Sequence, residues 1–223
     1  MSYSRYAVYY LPRNGALAAF GARWLGWDAA AGRAVGQPDL PGLAALTDAP
    51  RRYGFHATLK PPFRLSEGQD AAALQEAVRA LAARSAPGQA AGLALTRMGR
   101  FFALTPTGDA TEIARVAAAC VRDLDGFRAA PSEAELARRR KAGLSPRQEA
   151  LLRDWGYPYV LDAFRFHMTL TGRVPRAALE DTEAMIAAHL PALPAPFVLD
   201  ALAVMGERAD GRFEMIARYD LGG

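Results

Sequence analysis

The chain has 223 residues, of which 51% are hydrophobic and 22% charged, with a formal net charge of +4 and a pI near 9.4. That apolar content supports a sizeable core, as one large domain or two small lobes, and the mild basic balance suits an anionic partner without requiring one. The single cysteine, Cys120, excludes an intrachain disulfide framework and a cysteine-based zinc site, and its Ala/Val-rich setting makes it a small buried hydrophobe. The first residues lack the apolar region of a signal peptide and no window reaches a transmembrane length, so a cytoplasmic enzyme or binding protein with no membrane partner is expected.

In chain order, the aromatic and β-branched run Tyr6–Leu11 predicts a strand closed by Pro12. Residues 15–25 predict a short helix ending at Gly26, and the Gly-, Pro- and Asp-rich stretch 27–50 predicts mostly loop. Tyr53–Lys60 reads as an extended segment stopped by Pro61 and Pro62. Helical periodicity follows over 70–84, then a strand pair at Leu93–Met98 and Phe101–Leu104, then a helix from Thr111 to Leu124. Ser132 with Glu135, and Ser145-Pro146 with Gln148, mark two short helices on either side of Gly143. Beyond them come a predicted strand Phe164–Thr171, a helix over 176–190, and strands Phe197–Val204 and Phe213–Tyr219.

The two halves echo each other. In each, a strand carrying a nearly shared pentapeptide (Phe55-His-Ala-Thr-Leu59 and Phe166-His-Met-Thr-Leu170) precedes a helix and two strands, and a Met-Gly pair (Met98-Gly99, Met205-Gly206) ends the first of those strands. An internal duplication accounts for this, with motif strands at 53–60 and 164–171 inside a single 1–223 domain. Residues 127–156 then form a helical insertion in the second unit.

Side chains two apart in a strand share a face. On that rule His56, Thr58 and Lys60 lie together, opposite Phe55, Ala57 and Leu59. Arg165, His167, Thr169, Thr171 and Arg173 lie together, opposite Phe166, Met168 and Leu170. Each strand therefore offers one apolar face and one face bearing a histidine, a hydroxyl and cations. An imidazole can take a proton from water or a sugar hydroxyl, an imidazolium can protonate a leaving oxygen, and threonine hydroxyls with Lys or Arg can hold phosphate oxygens. One His-x-Thr-Leu is a weak signal, since a lone strand histidine is commonly structural. Two copies, using two of the three histidines, make a much stronger one. The third, His189, fits a helix C-terminus.

With these residues the sequence resembles the two-histidine phosphoesterase superfamily, whose hallmark is a pair of His-x-Thr/Ser motifs, matched by His56-Ala-Thr58 and His167-Met-Thr169. Longer runs, Tyr53–Phe63, Gly143–Gln148, Trp155–Tyr159 and Phe164–Gly172, resemble an uncharacterised branch often encoded beside phosphonate-degradation genes. The resemblance implies an α+β, bilobal, duplicated fold, with two antiparallel sheets and outer helices around a central cleft. It also implies metal-independent hydrolysis of a phosphodiester, with no cofactor. It carries over His56 and His167 as the acid/base pair, with the roles unassigned between them, and Thr58 and Thr169 as phosphate ligands. Lys60, Arg165 and Arg173 are added as candidate substrate contacts from the strand faces, and Tyr9 from the opening strand.

Two expectations stay open. The basic run Arg138–Lys141 is either a solvated helical face or part of a lid over an anionic substrate. The activity is either opening of a cyclic phosphodiester on a small sugar phosphate, such as 5-phosphoribosyl 1,2-cyclic phosphate, or RNA-end processing of 2′,3′-cyclic or 2′-5′ linkages. A non-catalytic nucleotide or RNA binder is the third alternative. A small anionic phosphoester is the favoured partner, and RNA the less favoured because no stacking platform is evident.

Overall fold

The computed structural model describes residues 3–141 and 143–223; Ala142, inside the expected insertion, lies outside the described residues, as do Met1 and Ser2. Strand β1 (Tyr6–Tyr10) and helix α1 (Ala16–Leu25) form as the sequence indicates, the helix ending on a left-handed Gly26. The stretch expected to be loop instead holds a small hairpin, β2 (Trp27–Asp28) with β3 (Arg33–Ala34), and a helix α2 (Leu43–Arg51). That helix was hidden because no side chain caps its start and Pro50 lies inside it. Its buried residues Leu43, Thr47 and Pro50 nevertheless recur at helical spacing.

The first motif strand, β4 (Ala57–Phe63), starts later than expected and runs through both prolines. Helix α3 (Ala71–Ala83) is capped by the Asp70 carboxylate, which accepts from the Ala73 N–H at 2.8 Å. Then come β5 (Gly88–Ala90), β6 (Gly92–Met98), β7 (Phe101–Thr107) and α4 (Thr111–Asp123). Helices α5 (Glu133–Arg140) and α6 (Pro146–Trp155) both open with complete capping boxes, as the two serine signals require.

The expected strand Phe164–Thr171 is corrected to a two-residue strand, β8 (Met168–Thr169), preceded by a short 3-10 turn at Leu161–Ala163. Leu170 and Thr171 leave the ladder because both their N–H groups turn onto one carbonyl, that of Phe102. Helix α7 (Leu179–His189), β9 (Phe197–Leu199), β10 (Ala201–Glu207) and β11 (Phe213–Asp220) complete the chain. No helix among the described residues is long and apolar enough to cross a membrane.

The architecture is α+β. The main sheet has seven strands in the order β11-β10-β1-β4-β8-β7-β6, and every pair in it is antiparallel. Where two sheets were expected, the two sets of strands are hydrogen-bonded into one, through a seam as thin as the Ala57–Met168 pair. These are the matching residues of the two pentapeptides. A second pairing, β5 with β9, is centred on Gln89 opposite Val198. The strands of the two halves alternate in blocks: β10 and β11 extend the sheet beyond β1 and β4, while β7 and β6 extend it beyond β8.

The main core lies on one side of this sheet, where Phe55, Ala57 and Leu59 meet Phe166, Met168 and Leu170 together with the apolar faces of α3 and α4. At Gly21 the α1 backbone approaches the Phe55 ring so closely that an added Cβ would lie 2.0 Å from it. The Trp24 indole N–H donates to the Leu170 carbonyl at 3.0 Å, tying α1 to the segment just beyond β8. Helices α1 and α2 thereby lean on the residues that follow the second motif.

Candidate active site

Ala57 and Met168 are fully buried and paired across the seam. Alternation therefore sends the neighbouring side chains to the opposite face, and the antiparallel register sets His56 alongside Thr169 and Thr58 alongside His167. All four are half-buried, on the face opposite the main core. Each histidine binds a backbone carbonyl two residues before it: His56 Nδ1 to Gly54 at 2.9 Å, and His167 Nδ1 to Arg165 at 2.8 Å. A carbonyl oxygen can only accept, so in both rings Nδ1 carries the hydrogen and Nε2 is left for chemistry. The Thr58 hydroxyl lies 3.0 Å from His56 Nε2 and can donate to it.

Gly54 makes this orientation achievable. Its φ is +74°, and a Cβ there would come 2.4 Å from the Ala29 methyl. The turn delivers the Gly54 carbonyl to His56. The imidazole is enclosed as well as oriented. Tyr9 stacks on it, with ring centroids 3.8 Å apart at 24°, and Tyr53 is tilted against it at 6.1 Å. Burial, with a smaller contribution from His167, pushes the His56 pKa down to about 4, partly opposed by the bond to Gly54. His56 is therefore a neutral imidazole at ordinary pH.

Two cavities meet at His56 and Thr169. One, of about 760 Å³, also reaches Tyr9, Thr58, Arg5, Arg52, Arg64, Arg138, Arg139 and Glu207. The other, of about 610 Å³, is lined by Ala49, Pro50, Tyr53, Phe101 and Gly172, with Arg100 and Arg173 at its polar edge. The cleft thus has a cationic side and an apolar side, with the histidine–threonine face between them.

Of the residues singled out from the sequence, His56, Thr58, His167, Thr169 and Tyr9 come together, and Arg173 borders the apolar cavity. Tyr9 presents its ring face to His56, and burial raises the pKa of its phenol. Lys60 is a correction. The β1–β4 register slips after Tyr9–Thr58, so that Leu59 and Lys60 together oppose Val8. That bulge carries Lys60 off the histidine face. Its ammonium donates to the Val121 carbonyl at 3.1 Å near the end of α4 and pairs with Asp125 at 3.4 Å. Arg165 is a second correction: it is exposed and borders a different groove with Arg97 and Phe164, because the chain before β8 is not extended ladder. Thr171, placed on the histidine face by strand alternation, is buried and its hydroxyl accepts from the Phe102 N–H at 3.0 Å, although the residue still borders the apolar cavity.

Sequence reasoning passed over Tyr53, Phe101, Arg5 and Arg52. Tyr53 and Phe101 line the apolar cavity, Tyr53 beside His56 and Phe101 beside His167, giving the aromatic surface that was not evident in the sequence. Tyr53 stands three residues before His56 and could have been found by its place in the motif run; Phe101 and Arg5 are brought in by strands distant in sequence. The basic run also contributes. Arg138 and Arg139 of α5 line the cationic cavity, whereas Arg140 turns away to Glu149 at 2.7 Å. His189 is, as expected, a helix-end residue, its Nδ1–H donating to the Met185 carbonyl at 2.8 Å.

No group of three or more His, Cys, Asp or Glu side chains among the described residues is arranged to hold a metal ion. The side chains that gather at the seam are two histidines and two threonines, with a set of arginines lining the cavity beside them.

An α+β fold with two His-x-Thr segments joined at its centre defines the class of protein. Within it, the family model described as "Protein of unknown function (DUF1045)" matches residues 58–214, and the chain belongs to that family. It is 40% identical, over 94% of its length and 49% of the relative's, to a protein named ribose 1,5-bisphosphate phosphokinase PhnN from Janthinobacterium sp. (strain Marseille). It is 38% identical, over 83% of its length and 44% of the relative's, to the protein of the same name from Laribacter hongkongensis (strain HLHK9). The chain thus spans about half the length of the curated relatives it matches. Among solved structures it is similar to a phosphoesterase (15% identity, all of both chains, TM-score 0.43). It is also similar to Escherichia coli LigT complexed with 3′-AMP (14% identity, all of both chains, TM-score 0.44).

Proposed function

We propose that this chain is a metal-independent phosphodiesterase of the two-histidine type that opens a cyclic phosphodiester on a small sugar. The observation that carries this reading is the seam itself: one backbone pair, Ala57 with Met168, sets two Nδ1-anchored histidines and two threonines on a common face. His56, neutral and offering Nε2, takes the proton of the attacking water, and His167 gives its Nε2 proton to the departing sugar oxygen. One P–O bond forms, the opposite one breaks, and the product is a phosphomonoester beside a free hydroxyl. Thr58 and Thr169 hold the non-bridging oxygens. Catalysis comes chiefly from positioning and from charge complementarity.

The names of the curated relatives favour a phosphorylated ribose as the sugar. A second reading, a nucleoside 2′,3′-cyclic phosphate at an RNA end, is favoured by Tyr53 and Phe101, which could hold a base in the apolar cavity.

Phosphorus NMR against a panel of cyclic phosphates, run in EDTA, tests the proposal. Ring opening without added metal is expected, with His56→Ala and His167→Ala each lowering kcat/KM by about 10²–10⁴-fold. Full activity in either variant, or abolition by EDTA, overturns the mechanism. Preference for a nucleoside over a ribose cyclic phosphate moves the substrate to the second reading.

A further inference from the structure

The cationic cavity holds more positive charge than one reacting diester needs. Five arginines line it: Arg5, Arg52, Arg64, Arg138 and Arg139. Two are already matched. Arg5 is bidentate on Glu207, at 2.6 and 2.5 Å, and Arg64 pairs with Glu135 at 3.1 Å. The other three, Arg52, Arg138 and Arg139, have no carboxylate within 4.0 Å among the described residues.

Arg139 is the most telling of them. Its guanidinium lies over the Tyr157 ring at 4.6 Å, and its Nε is buried without a hydrogen-bond partner. Burial, reinforced by Arg138 and Arg5, lowers its pKa, so the site carries a standing cost that an anion would relieve. The side chain is half-buried, held by a helix that is itself pinned to the segment after β4. Glu135 of α5 binds Arg64, and the Ala129 N–H donates to the Arg64 carbonyl at 2.8 Å. Planar guanidinium forks brought to one cavity from the end of α2 and from α5 fit a phosphate with three terminal oxygens. They fit less well a diester, which has two oxygens and one charge.

We infer that Arg52, Arg138 and Arg139 form a second anion subsite, which binds a phosphomonoester carried by the substrate at a distance from the phosphodiester that is opened. The inference rests on the proposed function and narrows it: the substrate is a doubly phosphorylated small molecule, its reacting phosphate at His56 and His167 and its terminal phosphate under α5. The insertion helix is then a specificity element, and the basic run divides between Arg138 and Arg139, which face the ligand, and Arg140, which does not.

The test compares ribose 1,2-cyclic phosphate with its 5-phosphate. The 5-phosphate should raise kcat/KM at least tenfold, and Arg139→Gln and Arg52→Gln should each remove most of that preference, while Arg139→Lys keeps part of it. Equal kcat/KM for the two compounds, or a preference unchanged in both Gln variants, overturns the inference. A separate arm needs no turnover. Calorimetric titration with ribose 5-phosphate should show binding to the wild-type protein that weakens at least fivefold in Arg139→Gln and is absent for ribose. If that binding is seen but no cyclic phosphate is opened, the proposed function fails and the subsite stands. If cyclic phosphates are opened but ribose 5-phosphate binds no better than ribose, the subsite fails alone. An RNA oligomer with a cyclic end processed faster than the 5-phosphate compound would assign the arginines to backbone phosphates, and that too overturns it.

Discussion

His56 is kept neutral by enclosure. Tyr9 covers one face of its ring, Tyr53 tilts against it, and the Gly54 carbonyl fixes its Nδ1 hydrogen. An exposed histidine would be half-protonated near pH 6.5, but burial pushes this one down to about 4. In the proposed reaction, kcat/KM should therefore stay level as the pH falls through 6 and decline only toward pH 4; a single-group acid limb centred near 6.5 would show that His56 is not the base. The same shift has a sign for stability. Between about pH 6.5 and 4 the unfolded chain takes up a proton at this position while the folded chain does not, so the fold loses stability as pH falls through that window. His56→Asn should lessen the fall in Tm between pH 7 and pH 4.5.

At the scale of elements, β4 shows how a single bulge reassigns a side chain. His56 and Thr58 obey strand alternation, but the slip at Leu59 and Lys60 sends the lysine to the carboxyl end of α4. There it satisfies one of the carbonyls a helix end leaves unpaired. Burial pushes its pKa down to about 8, opposed by Asp125. Asp125 is not stranded when Lys60 is removed, because Arg128 holds it at 2.8 and 3.0 Å. Lys60→Met should accordingly cost about 1–2 kcal/mol of stability and leave KM unchanged, by denaturant titration and steady-state kinetics. A large rise in KM would return Lys60 to the cleft. The folded-state pKa lies below the unfolded one, so between about pH 8 and 10 the unfolded chain holds the extra proton. Raising the pH through that range should move the stability difference in favour of the wild type.

At the scale of the molecule, the strand order interleaves the halves. β10 and β11 complete the sheet beside β1 and β4, and β6 and β7 complete it beside β8. Neither half keeps its own edge, and the residues beyond the second motif lean on α1 and α2 through Trp24 and through the Gly172 N–H to the Leu46 carbonyl. The chain should unfold in one cooperative step, with far-UV circular dichroism and tryptophan fluorescence coincident in urea; two separated transitions would mean that the halves are independent. The motifs, the capped helices and the pairing of His with Thr on one face were legible in the amino-acid sequence, because periodicity, serine caps and strand alternation are local rules. The α2 helix, the bulge at Lys60, the shortness of β8 and the displaced Arg165 were not, because each depends on a hydrogen-bond partner or a packing surface supplied by chain far away. Local pattern alone therefore determined which histidines and threonines share a strand face. Only the tertiary structure decided which of them share a cleft, since the arginines of β1's approach, α2's end and α5 converge on His56 through contacts that no spacing along the chain encodes.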